Sequence, residues 1–221
     1  MSIADFLKFI TYIAPVLLAA GVGIGLYYFK NLKKEYKYTL FYLLGCLITD
    51  VTARVVGEIT KNNLIIIVLF SFFELIFFTV FYQVCFFKRK VWPVIIGSII
   101  FGIYIVWEIF SLWNIPPAEF QTYSKTLSSF LIIFMAINYL LEKIEHKEKN
   151  NRVIMLNSAI IIFYSLHLIF FLPINFLINV PSVIKFYFWT ANLLLTLIFY
   201  AFLIKEIWKN GSTQKQLRSG L

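Results

Sequence analysis

Seven stretches of mainly apolar residues, each long enough to cross a bilayer as a helix, follow one another along this chain with short connections between them. They cover residues 9–28, 38–57, 64–87, 91–113, 122–141, 153–177 and 183–207. At 1.5 Å per residue, about 20 such residues cross ~30 Å of hydrocarbon. No water is available there for backbone N–H and C=O groups, so each span must satisfy them within its own helix. The sequence therefore reads as an all-α membrane protein, a bundle of seven transmembrane helices. Composition agrees: 61% of residues are hydrophobic and 14% charged, against about half and about a quarter in soluble domains. The bundle is expected to form one domain over residues 1–208, with residues 209–221 (KNGSTQKQLRSGL from Lys209) a flexible polar tail. The N-terminal segment does not read as a secretory signal. Asp5 precedes the apolar run, a basic start is missing, and the run is long enough to span.

Direction follows from the basic residues. The net charge is +9, but the cations sit in clusters between apolar stretches and make no basic face with interleaved aromatics. Nucleic acid is therefore not an expected partner. Fifteen of the twenty Lys and Arg residues fall in the first, third and fifth connections and the tail. They include Lys30, Lys33, Lys34 and Lys37, then Lys88, Arg89 and Lys90, then Lys143, Lys147, Lys149 and Arg152. The tail adds Lys205, Lys209, Lys215 and Arg218. The opposite side has Lys8, Arg54, Lys61, Lys125 and Lys185. Positive charge marks the cytoplasmic side, so the expected topology places the N-terminus outside and the C-terminus in the cytoplasm. Trp92 and Trp208 then lie at the inner boundary and Trp107 and Trp113 at the outer one, as an aromatic belt requires. Pro116, Pro117 and Pro181 mark connections, and Pro173 is expected to bend or end the sixth helix.

Within the spans, charged residues cost about 2.5–3.5 kcal/mol each at a helix centre and normally face the bundle interior. The second helix carries Tyr42, Cys46, Asp50, Arg54 and Glu58 at i,i+4 spacing. Each step advances about 40° around the helix, so these form one polar stripe in which Arg54 can pair with Asp50 and Glu58. The third helix adds Ser71 and Glu74. The fourth adds Tyr104 and Glu108, the sixth Tyr164 and His167, and the seventh Asn192. By rise per residue Glu74 lies near the midplane and Asp50 somewhat outside it, and Glu108 and His167 fall about 5–10 Å below the outer surface. Glu74 has no basic neighbour in its own helix, which leaves protonation, pairing with Arg54 or a cationic ligand. The ligand-binding candidates are accordingly Asp50, Arg54, Glu74, Tyr104, Glu108, His167 and Asn192, all between midplane and outer boundary.

Several chemistries lack their residues. The seventh helix has lysines only at its ends, Lys185 and Lys205, so a retinal Schiff base has no place at its centre. His146 and His167 are the only histidines and Cys46 and Cys85 the only cysteines, so no zinc site, disulfide or cofactor is expected. No serine-protease signal, paired intramembrane aspartates or P-loop is present. Gly21, Gly23 and Gly25 lie inside a span, and Gly21-x-x-x-Gly25 reads as a close helix contact that would suit a homodimer interface. Two alternatives retain some residues. A lysoplasmalogenase-like lipid hydrolase could use Glu74, Asp50 or Glu108 as base for water, with His167 or Arg54 stabilising the developing charge. A small-solute transporter of the 3+1+3 helix plan shares the topology but would need acidic counterparts in the sixth and seventh helices, and the Pro-Gln signature is absent.

The segments LLGCLITDVTARVVGE, LFSFFELIFFTVFY and NLLLTLIFYAFLIKEIWK resemble small seven-helix membrane proteins of bacteria whose role is uncharacterised. The likeness implies a multi-pass protein of the bacterial inner membrane that stands as a bare bundle, beside a signalling partner. It assigns no catalytic residue. The functional expectation is a non-enzymatic module that senses or binds a small or lipidic ligand in its outer half and acts through a cytoplasmic or membrane partner.

Overall fold

Each of the seven apolar stretches forms a helix. The computed structural model describes residues 3–116, 119–145, 151–176 and 182–219. Expectations attached to Pro117, His146, Lys147, Lys149 and Pro181 lie outside these residues, as do the side chains of Lys8, Pro173 and Lys185. Among the described residues there is no strand. The helices are α1 (Ile3–Tyr27), α2 (Lys34–Thr60), α3 (Ile65–Phe81), α4 (Trp92–Leu112), α5 (Ser124–Glu145), α6 (Asn151–Phe176) and α7 (Ser182–Ser219). Six are long and apolar enough to cross a membrane, and the apolar stretch of α1, Thr11–Tyr27, is a shorter seventh. Large apolar side chains turned outward suit a lipid surround. On α4, Ile96, Ile99, Ile100, Ile103 and Phe110 are all exposed, where a soluble protein would not tolerate so continuous a patch. Trp92, Trp107, Trp113 and Trp208 are each at least 55% exposed, as belt residues must be.

The chain divides into two compact units, Met1–Val51 with Leu193–Leu221, and Thr52–Asn192. The first is built on close apolar packing. Leu18, Val22, Leu40, Leu43, Leu203, Ile204 and Ile207 are buried in it, and Tyr42 meets Phe199 edge-on. A Cβ on Gly21 would collide with Ile204 of α7, and one on Gly25 with Leu40 of α2. The Gly-x-x-x-Gly pair is thus the close helix contact its spacing suggests, made to Ile204 and Leu40 of the same chain. Missing Cβ atoms let these helices approach.

A correction concerns the end of the chain. The segment expected to be flexible from Lys209 onward continues α7 as far as Ser219. Its inner face has partners that composition does not reveal. Asn210 is buried and its Oδ1 accepts the Lys33 backbone N–H at 3.1 Å. Gly211 lies so close to Tyr28 that any Cβ would strike the ring. Lys215 donates to the Tyr27 hydroxyl at 3.0 Å, and Arg218 donates to the Lys30 carbonyl at 3.0 Å and to Asn31 Oδ1 at 3.2 Å.

The second unit packs α3 against α4 and α5, and α5 against α6. Its core includes Val68, Leu75, Phe78, Ile105, Ile132, Met135, Leu156 and Ile160. Toward one end a polar tie joins three helices. Tyr82 donates to Asn157 Oδ1 at 2.8 Å, and Asn157 Nδ2 donates to the Ala136 carbonyl at 2.9 Å. Here α3 widens into a π-helical turn, Tyr82–Phe86, closed by the Phe87 N–H on the Tyr82 carbonyl at 2.8 Å. Gln83 holds the following connection by exchanging two hydrogen bonds with the Val91 backbone, at 3.2 and 3.3 Å. The α6 helix continues past Pro173 as far as Phe176, the last residue described before the sixth connection.

Candidate functional site

The second unit contains a buried charged cluster built by α3, α5 and α6. Glu74 is 1% exposed at the middle of α3, a helix in which Val68, Leu75 and Phe78 are also buried. A lone carboxylate in such a place would be costly. It is matched instead by Lys125, 5% exposed in the first turn of α5, whose ammonium forms an ion pair with Glu74 Oε2. The other oxygen, Oε1, accepts the Tyr164 hydroxyl of α6 at 2.7 Å. Aromatic faces complete the lysine's surroundings. Its Nζ sits 5.0 Å from the Phe70 ring centroid and 5.7 Å from that of Tyr164, where ring quadrupoles attract a cation. Both carboxylate oxygens are thus engaged, which resolves what the deep Glu74 pairs with.

One α6 turn beyond Tyr164 lies His167, 7% exposed and stacked between Phe163 at 5.5 Å and Phe171 at 5.8 Å. Asn192 and the Lys125 ammonium lie within electrostatic reach of the ring, but the geometry falls short of a hydrogen bond. Neither Nδ1 nor Nε2 has a hydrogen-bond partner among the described residues. A buried imidazole left in this state costs about 1–3 kcal/mol relative to a satisfied one. The Phe163, His167 and Phe171 spacing of four residues puts all three rings in one ladder along α6.

Glu108 does something else. Its carboxylate lies across the start of α5 and accepts from Tyr123 N at 2.8 Å, Ser124 N at 2.9 Å, Thr122 Oγ1 at 2.9 Å and the Ser124 hydroxyl. Tyr104, one turn earlier on α4, adds its hydroxyl at 3.4 Å. The first amides of a helix lack intrahelical partners and carry partial positive charge, so a carboxylate there caps and stabilises it. Tyr104 and Glu108 therefore form a capping group for α5. That cap has a second consequence. A lysine in the first turn opposes the helix dipole, and the negative charges of Glu108 and Glu74 together make Lys125 tolerable at that position.

The remaining candidates, Asp50 and Arg54, lie on α2. Along the α2 stripe, Tyr42 and Cys46 are buried, Asp50 and Arg54 half-buried, and Glu58 exposed, a steady gradient toward one end. Asp50 belongs to the first unit, while Arg54 and Glu58 belong to the second. The structure thus brings Glu74 together with Tyr164 and sets His167 near the same lysine and beside Asn192. It gathers Tyr104 and Glu108 into a cap. Among the described residues, no three His, Cys, Asp or Glu side chains meet in a metal-ligating arrangement.

Sequence reading used Lys125 only as a charge on the outer side. A signal was present nonetheless. Ser124, Lys125, Ser128 and Ser129 are all buried, and their i, i+1, i+4, i+5 spacing marks an inward face whose lysine must find an acid. No family model matches the chain, and neither does any curated protein or solved structure.

Proposed function

We propose that this chain is a seven-helix module of the bacterial inner membrane, with its N-terminus outside and its C-terminus in the cytoplasm. It binds a small or lipidic ligand at the Glu74, Lys125, Tyr164 and His167 cluster and reports to a cytoplasmic or membrane partner protein. The observation that carries this reading is His167. It is a buried imidazole whose ring nitrogens make no close hydrogen bond, with Asn192 as its polar side-chain neighbour, beside an ion pair that is already charge-balanced. Such a site suits a ligand whose polar head both donates and accepts, a hydroxyl, amide or protonated acid, carried on an apolar body that lies along the Phe163 and Phe171 rings. Hydrolysis has less support, because the oxygens of Glu74 and Glu108 are all engaged and neither is free to act as base for water.

The test is native mass spectrometry of the protein purified in mild detergent, for the wild type and for His167→Phe. Phenylalanine fits the existing ring ladder, so the variant should fold. A discrete co-purifying molecule in the wild type, reduced about tenfold or more in the variant, supports the reading. Identical adduct spectra for the two proteins sink it. For orientation, a periplasm-active or cytoplasm-active reporter fused after Leu221 should work only in its cytoplasmic form. The opposite result reverses the topology.

A further inference from the structure

We propose that the end of the first unit formed by the 27–33 turn and the last fifteen helical residues of α7 (205–219) is a binding surface for anionic phospholipid headgroups. Lys30, Lys33, Lys205, Lys209, Lys215 and Arg218 are all exposed there. Charge alternation alone would place basic residues on this side, but it would not fix them to one another. The structure does so with neutral oxygens. Arg218 is held by the Lys30 carbonyl and Asn31 Oδ1, Lys215 by the Tyr27 hydroxyl, and the two segments are joined by Asn210 on the Lys33 N–H. Because the acceptors carry no charge, the cations are positioned without being neutralised. Lys30, Lys33, Lys205 and Lys209 have no carboxylate partner among the described residues, and the acid within the α7 segment, Glu206, is turned inward at 2% exposure.

The surface also fits a headgroup layer in depth. The 38 residues of α7 rise ~57 Å, nearly twice the ~30 Å of hydrocarbon. Exposed Trp208 marks the boundary level, and Lys215 and Arg218 follow about 10–15 Å further along the axis. Exposed Leu217 supplies an apolar contact between them. Lys205 and Lys209 flank the Trp208 level, where each cation near an anionic surface contributes about 1 kcal/mol, an attraction that falls off within a Debye length.

The experiment uses the full chain in phosphatidylcholine vesicles with trace spin-labelled phosphatidylglycerol or spin-labelled phosphatidylcholine, and reads the motionally restricted fraction of each. The wild type should prefer phosphatidylglycerol by about fivefold, and the preference should fall toward parity in about 0.5 M NaCl. The quadruple variant Lys205→Gln, Lys209→Gln, Lys215→Gln, Arg218→Gln should show no preference while keeping its helical content. Should it misfold, the Lys205→Gln, Lys209→Gln pair, which touches none of the holding bonds, must still lower the preference about twofold. Equal restriction of both lipids by the wild type overturns the proposal, and so does a preference that survives in the folded variants. Loss of the preference on adding millimolar inorganic phosphate at constant ionic strength would make this a soluble-anion site and overturn the lipid assignment.

Discussion

The two units solve the same problem, helix packing in an apolar surround, in opposite ways. The first keeps its cations at one exposed end and packs its interior mainly through apolar side chains and missing Cβ atoms at Gly21 and Gly25, although Glu206 is buried there with its Oε2 lacking a hydrogen-bond partner among the described residues. The second buries a carboxylate and an ammonium and leaves an imidazole beside them unsatisfied. Packing alone does not need the second solution, since a buried ion pair is often no more stabilising than well-packed apolar residues of similar volume. The difference is therefore one of charge placement: the second unit matches a buried carboxylate with a buried ammonium, while the first holds its cations exposed.

The largest effect should come from breaking the ion pair on one side only. Glu74→Gln or Lys125→Met leaves a buried charge unpaired and should cost about 3–5 kcal/mol. The double variant should recover most of that loss, read by denaturant unfolding in detergent. Additive losses would mean the pair is not coupled, and the contrast between the units would fail. In the first unit, Gly21→Leu must displace Ile204 and should cost about 1–3 kcal/mol, seen as a lowered thermal midpoint. An unchanged midpoint there would show that close approach is not what holds that unit. Glu108→Ala removes the carboxylate from the start of α5 and should cost about 1–2 kcal/mol, with hydrogen exchange rising first at Tyr123 and Ser124. The smallest change is Lys61→Gly. Lys61 has φ of 58° just after α2, a left-handed conformation that glycine adopts without a Cβ penalty, so stability should rise by about 0.5–1 kcal/mol.

Much of the fold was legible because hydrophobic length and spacing are local properties. Each of the seven spans read from the sequence has its helix, and the largest departures lie at polar ends. The segment from Lys209 looked disordered because KNGSTQKQ has no apolar stripe. What orders it is tertiary: a buried Asn210 and the fit of Gly211 under Tyr28. The site was half legible. Depth singled out Glu74, since charge at the midplane is costly wherever it occurs. Partners were not legible, because Lys125 lies 51 positions from Glu74 and Tyr164 lies 90. Pairing within α2 drew attention to Arg54 for the same reason, as neighbours four residues apart are the ones a sequence displays. Glu108 shows the limit most clearly. Its role as a cap depends on where α5 begins beside α4, which no spacing within either helix records.

The central claim is that His167 is kept for a ligand at the expense of stability. One protein variant tests it with two readings. In His167→Phe the thermal midpoint should rise, because a buried polar ring without partners is replaced by one that needs none, a gain of about 1–3 kcal/mol. Binding of the co-purifying molecule, added back to delipidated protein and read as a thermal shift, should be lost. A variant that is more stable and no longer shifts bears out the account. A variant that is less stable and shifts as the wild type does would contradict it.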